Sequence, residues 1–96
     1  MDHVDGWRQC FQDWPGDVNR RGVLVTTFAE QIPFVNFLAS DRMILLERQS
    51  PDQVGARMVM LPYQNIAALK IIDVVKARVF SHMGFAPAPA PPASKK

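Results

Sequence analysis

Gly22-Val-Leu-Val-Thr-Thr-Phe28, Phe34-Val-Asn-Phe-Leu-Ala-Ser40, Arg42-Met-Ile-Leu-Leu-Glu-Arg48, Ala56-Arg-Met-Val-Met-Leu61 and Ile66-Ala-Ala-Leu-Lys-Ile-Ile72 succeed one another with turn-forming residues between them. Each is short, rich in Val, Ile, Leu, Met or Phe, and alternates well enough to be given two faces. In the first run Leu24, Thr26 and Phe28 oppose Val23, Val25 and Thr27. Five such runs in succession, with no helical period until the fifth is complete, predict a mainly β domain: a five-stranded, strongly bent, closed antiparallel barrel over about residues 22–72.

The connections carry turn chemistry. Ala29-Glu-Gln-Ile-Pro33 makes the first turn, with Pro33 at a strand start, where its missing N–H is tolerated. Ser40-Asp41 marks a second turn or a sharp bend in one long strand. Ser50-Pro-Asp-Gln-Val-Gly55 reads as a hairpin connection, because Pro presets a turn angle, Asp bonds its own backbone and Gly supplies positive φ. Pro62-Tyr-Gln-Asn65 fits one 3₁₀ turn before the last strand.

Outside the strands, Val4, Trp7, Phe11 and Trp14 recur at helical spacing before Pro15-Gly16 stops them, which predicts an amphipathic N-terminal helix over about 3–14. Its aromatic face closes the open end of the barrel or engages a partner. Val75, Val79, Phe80 and Met83, ending at Gly84, predict a short closing helix over 74–83, with an added strand as the alternative. Residues 1–84 form one domain, and 85–96 are a disordered Pro/Ala-rich tail with polyproline-II character.

Composition narrows the function. The 96 residues suffice for one small core. Eleven Lys and Arg against nine Asp and Glu leave a net charge of +2, too little to announce a nucleic-acid or membrane partner by total charge. Cys10 is the single cysteine, which excludes an intrachain disulfide and suits a reducing, cytoplasmic setting. The acidic start, Met1-Asp-His-Val-Asp5, lacks the basic flank of a secretory signal, and no apolar run reaches the roughly 20 residues of a membrane span. His3 and His82 stand in opposite flanks without ligand-spaced partners, so no metal and no cofactor are expected. Cys10 sits among aromatics as an inert thiol, Asp41 and Glu47 are acids on one strand, and no glycine-rich phosphate loop is present; no catalytic residue is expected.

A helix, five strands and a helical turn between the fourth and fifth is an order similar to that of Sm-like proteins, the family of Sm, LSm and Hfq. The resemblance covers about residues 3–74. Ala39-Ser-Asp-Arg-Met-Ile-Leu-Leu-Glu47 resembles the first Sm motif and Val59-Met-Leu-Pro-Tyr-Gln-Asn-Ile66 the second. An SH3-like barrel of another family shares the strand count and the turn. The chain departs from the family where a base-binding Asn is replaced by Ile44, and where Arg-Gly or Lys-His pairs are replaced by Pro62-Tyr63 or Tyr63-Gln64.

The resemblance implies a homo-oligomeric ring and single-stranded, U- or A-rich RNA as ligand of a chaperone or regulator. Candidate RNA contacts are Asp41, Arg42, Met43, Tyr63 as a stacking platform, Gln64, Asn65 and Arg57. The ring interface implied pairs the fourth and fifth strands of neighbours through Met58, Val59, Met60, Leu61, Ala68, Leu69 and Ile71. The alternative is a non-catalytic structural or adaptor module that binds a protein through the Trp7/Trp14 face or the tail. RNA binding requires sensitivity to salt; the adaptor does not.

Overall fold

The computed structural model describes residues 3–85. Helix α1 (His3–Gln12) precedes strands β1 (Gly22–Thr26), β2 (Gln31–Phe34), β3 (Asn36–Ala39), β4 (Met43–Glu47) and β5 (Met58–Pro62). A 3₁₀ turn (Tyr63–Asn65) leads into β6 (Ile66–Lys70), and a 3₁₀ segment (Ala77–Met83) comes last. The Pro/Ala-rich tail lies beyond the described residues.

The strands form two three-stranded antiparallel sheets, ordered β2-β1-β6 and β3-β4-β5. Two chain segments join them. One is the bend at Val35, whose N–H still donates to Glu47 O at 2.8 Å; the other is the 3₁₀ turn, where Thr27 N–H donates to Asn65 O at 2.8 Å. No hydrogen-bonded ladder closes the sheets into a single cylinder among the described residues.

Two strand boundaries differ from the sequence reading. The first turn is tighter than Ala29–Pro33, because Gln31–Phe34 pair with β1, Ile32 opposite Leu24 and Pro33 opposite Val23. Ile32 and Phe34 point inward and Gln31 and Pro33 outward, a period-two pattern that Pro33 disguises. As an edge strand, β2 tolerates the missing donor. The run 34–40 is accordingly split at Val35. At its end Ser40-Asp41 is a turn: Ser40 Oγ accepts from Met43 N–H at 3.1 Å, and Ser40 N–H donates to Met43 O at 2.9 Å.

The 50–55 connection is the expected hairpin. Asp52 Oδ1 accepts from Val54 N–H at 2.9 Å and Ala56 N–H at 2.8 Å, and Gly55 takes φ +87°. The closing helix is corrected in type and extent: a 3₁₀ segment starts at Ala77 and ends at Gly84 in the left-handed region, φ 98°. It carries no fully buried residue, so nothing packs it tightly enough to favour a longer α-helix.

Phe11 anchors α1. Its ring stacks between Trp7 and Trp14, each with centroid 6.2 Å away, and meets Phe37 edge-on at 4.9 Å. Such pairs contribute about 0.5–1.5 kcal/mol each beyond area burial. Inward residues of both sheets, among them Leu24, Ile32, Phe37, Ile44, Leu46 and Ile66, complete one core beneath the helix. The spacing of three aromatics, Trp7, Phe11 and Trp14, therefore becomes the lid of the sandwich.

Candidate functional site

Turn 41–43 and the 3₁₀ turn lie side by side. Met43 is opposite Pro62 in the β4/β5 ladder, and Tyr63 N–H donates to Arg42 O at 3.3 Å. Asp41, Arg42, Met43 and Gln64 are exposed there and Asn65 half-buried. Six of the seven candidate RNA contacts thus share one end of the molecule, but Arg57 does not. It precedes β5 at the opposite end of the hairpin, roughly 15 Å along the strand at ~3.3 Å per residue.

Tyr63 is corrected outright as a stacking platform. Its exposure is 0%, its ring lies 6.3 Å from that of Phe11, and its hydroxyl donates to Ser40 O at 2.7 Å. A base stacks on an accessible ring face, and this ring has none. Burial pushes the phenol above its ordinary range, with the nearby Asp41 adding to that and Arg8 opposing it. The side chain spans from core to turn, a structural use of an amphipathic ring.

Sequence reading missed Arg8. Its Nη1 donates to Asp41 O at 3.3 Å, and its Nη2 pairs with Asp5 one helical turn earlier. The three-residue spacing of Asp5 and Arg8 was the available signal. Gln12 Nε2 adds a longer contact to Ser40 O at 3.5 Å. The helix therefore rests its polar flank on this turn.

The adjacent arginines of the 17–21 linker are also engaged. Arg20 lays its guanidinium 4.0 Å from the centroid of Phe37 and donates to Phe37 O at 3.1 Å. Arg21 pairs with Asp73 at 2.9 Å. Both hold structure together before any ligand is considered.

The seven interface candidates divide by face. Met58 and Met60 point outward, 59% and 66% exposed. Val59 packs on the core and Leu61 is part of it. On β6, Ala68 is half-buried opposite Val25, whereas Leu69 and, just past the strand, Ile71 line a groove under α1. Val59, Leu61, Leu69 and Ile71 thus face the core or the groove, and Met58 and Met60 are the outward members of the set.

What remains outward is an apolar row that sequence reading gave only in part. Leu38 is opposite Leu45 and Leu45 opposite Met60, so the three form one line across β3, β4 and β5. Leu38 is 55% exposed, and Met43 and Met58 extend the patch along the same face. Beyond Met60, β5 has no hydrogen-bonded neighbour strand among the described residues.

Comparison with protein-family models, curated proteins and solved structures finds no match to this chain.

Among the described residues, no three His, Cys, Asp or Glu side chains come together as a metal site requires, and no helix is long and apolar enough to cross a membrane. Cys10 is half-buried at the groove under α1, and desolvation pushes its thiol above its ordinary value. A thiol so placed is a poor nucleophile.

Proposed function

We propose that this chain is a non-catalytic, self-assembling module of the Sm-like barrel kind, in which the β5 edge and the outer methionine face seat a second copy. The observation that carries it is the Leu38, Leu45, Met60 row running to a strand edge unpaired among the described residues. Exposed apolar side chains beside free backbone donors and acceptors form a template for strand addition, and a partner strand satisfies both at once. In this reading the two sheets are halves of one strongly bent barrel, joined at Val35 and at the 3₁₀ turn. A ring forms if β5 of one copy meets β6 of the next, since β6, like β2, is an edge of the other sheet among the described residues. A cytoplasmic setting belongs to the same proposal, on the strength of the lone Cys10.

A second reading, binding of U- or A-rich RNA, is favoured by one observation: turn 41–43 and the 3₁₀ turn present Arg42 and Gln64 together. Loss of Tyr63 from the accessible surface removes the strongest attraction this face had for a base. Titration of labelled oligo-U and oligo-A at two salt concentrations separates the readings. The self-assembling adaptor binds neither, with or without Arg42→Ala. Salt-sensitive binding abolished by Arg42→Ala replaces it with the RNA reading.

A further inference from the structure

Helix α1, strand β6 and the C-terminal 3₁₀ segment enclose a groove of about 360 Å³. Trp7, Cys10 and Trp14 supply one wall, Leu69 the floor, and Phe80 and Phe85 the far side. Phe80 meets Trp14 edge-on at 6.0 Å, and His82 Nε2 donates to Asp13 O at 2.7 Å, which fixes the far wall to the turn that follows α1. Among the described residues, no charged side chain lines this groove. It lies apart from the methionine face and is independent of the assembly proposed for that face.

Phe85 lines the groove and is the last described residue, so the segment that follows it in sequence is attached at the groove. The next eight residues are Ala86-Pro-Ala-Pro-Ala-Pro-Pro-Ala93, uncharged, before Ser94 and two lysines. We propose that this segment folds back in cis as a polyproline-II strand and fills the aromatic groove under α1.

Three matches support that occupant. The first is chemistry: proline rings pack on aromatic walls, and a Pro-rich strand gives up little entropy on docking because its backbone is already restricted. The second is length. From Trp7 to the end of α1 at Gln12 is about 8 Å of helix, and about three residues of polyproline II at ~3.1 Å per residue cover it. The third is tethering: a segment attached at the groove is present at an effective concentration of about millimolar, so weak contacts suffice for occupancy.

Cys10 is a built-in reporter, being the chain's single cysteine and part of the groove wall. The rate of its modification by a small thiol reagent is measured in the full chain and in a chain ending at Phe85, with circular dichroism on both. The proposal expects several-fold faster labelling without residues 86–96, restored protection on adding the 86–96 peptide, and rates unchanged by dilution of the full chain. A full-length variant with Pro87, Pro89, Pro91 and Pro92 each changed to Gly keeps the test available if the shortened chain misfolds, and is expected to label as fast. Equal labelling rates in the full chain and this variant would overturn the proposal. Protection that fades on dilution would overturn it in favour of the tail of a second copy.

Discussion

The Tyr63 hydroxyl donates to the carbonyl oxygen of Ser40 across 2.7 Å, tying the 3₁₀ turn to the end of β3 from inside the core. The same carbonyl receives Gln12 from α1, so helix, turn and strand converge on one acceptor. Tyr63→Phe is expected to lose about 1 kcal/mol in urea unfolding, the ordinary net worth of a buried hydrogen bond. Tyr63→Ala is expected to lose about 3–5 kcal/mol, as for other large aromatic truncations. A loss below measurement in the Ala variant would show the ring to be peripheral.

The same burial gives an alkaline limit. Because the folded phenol titrates above its ordinary value of 10.0, its contribution to stability is fully present below pH 10 and is lost as pH rises through the folded pKa. Wild type should lose stability above pH 10 more steeply than Tyr63→Phe. Parallel curves would contradict this.

Asp52 behaves in the opposite sense. The backbone N–H of Ala56, then that of Val54, and the charge of Arg48 hold its carboxyl below the usual 3.8, outweighing an opposing desolvation. Its contribution is therefore present above that value and lost as pH falls through the folded pKa. Amide exchange of Val54 and Ala56 is expected to rise, relative to the rest of the hairpin, in Asp52→Ala at neutral pH and in wild type under strong acid. Unchanged protection would show that the loop is held elsewhere.

Two backbone positions respond oppositely to small changes. A Cβ at Gly22 would run into the carbonyl oxygen of Lys70 on the neighbouring strand, so Gly22→Ala should cost about 2–3 kcal/mol in thermal unfolding. Ala29 sits at φ 70°, a conformation that costs an L-residue about 1–2 kcal/mol and glycine little. Part of that gain is offset by unfolded-state entropy, so Ala29→Gly should gain a few tenths to about 1 kcal/mol. Reversal of either sign would contradict the geometry of β1 and the turn after it.

Strand chemistry was legible because it is local. The Pro51-Asp52-Gly55 hairpin, the single turn at Tyr63 and the aromatic stripe of α1 each follow from residue spacing. Pro33 hid β2, since a missing donor is compatible with an edge strand and sequence alone does not say which strands are edges. Val35 hid the crossing between sheets, because a bend changes neither hydropathy nor period. At the candidate site, proximity of the two turns was legible from the strand order, but the fate of Tyr63 was not. An amphipathic ring at a strand end faces core or solvent according to what covers it, and here α1 does. Likewise Leu69 and Ile71 read as surplus apolar area until the helix was placed above them, while Leu38 joined Met60 only through the register of two ladders.

Solution mass by light scattering tests the central claim most directly, on wild type and on a chain carrying Met58→Lys and Met60→Lys, both outward-facing positions. Self-assembly through the β5 edge predicts a wild-type mass that is a multiple of the 10.8 kDa chain, a variant at the mass of one chain, and the same far-ultraviolet dichroism for both. A wild type that remains at 10.8 kDa at high concentration, or a variant that assembles as wild type does, would contradict it.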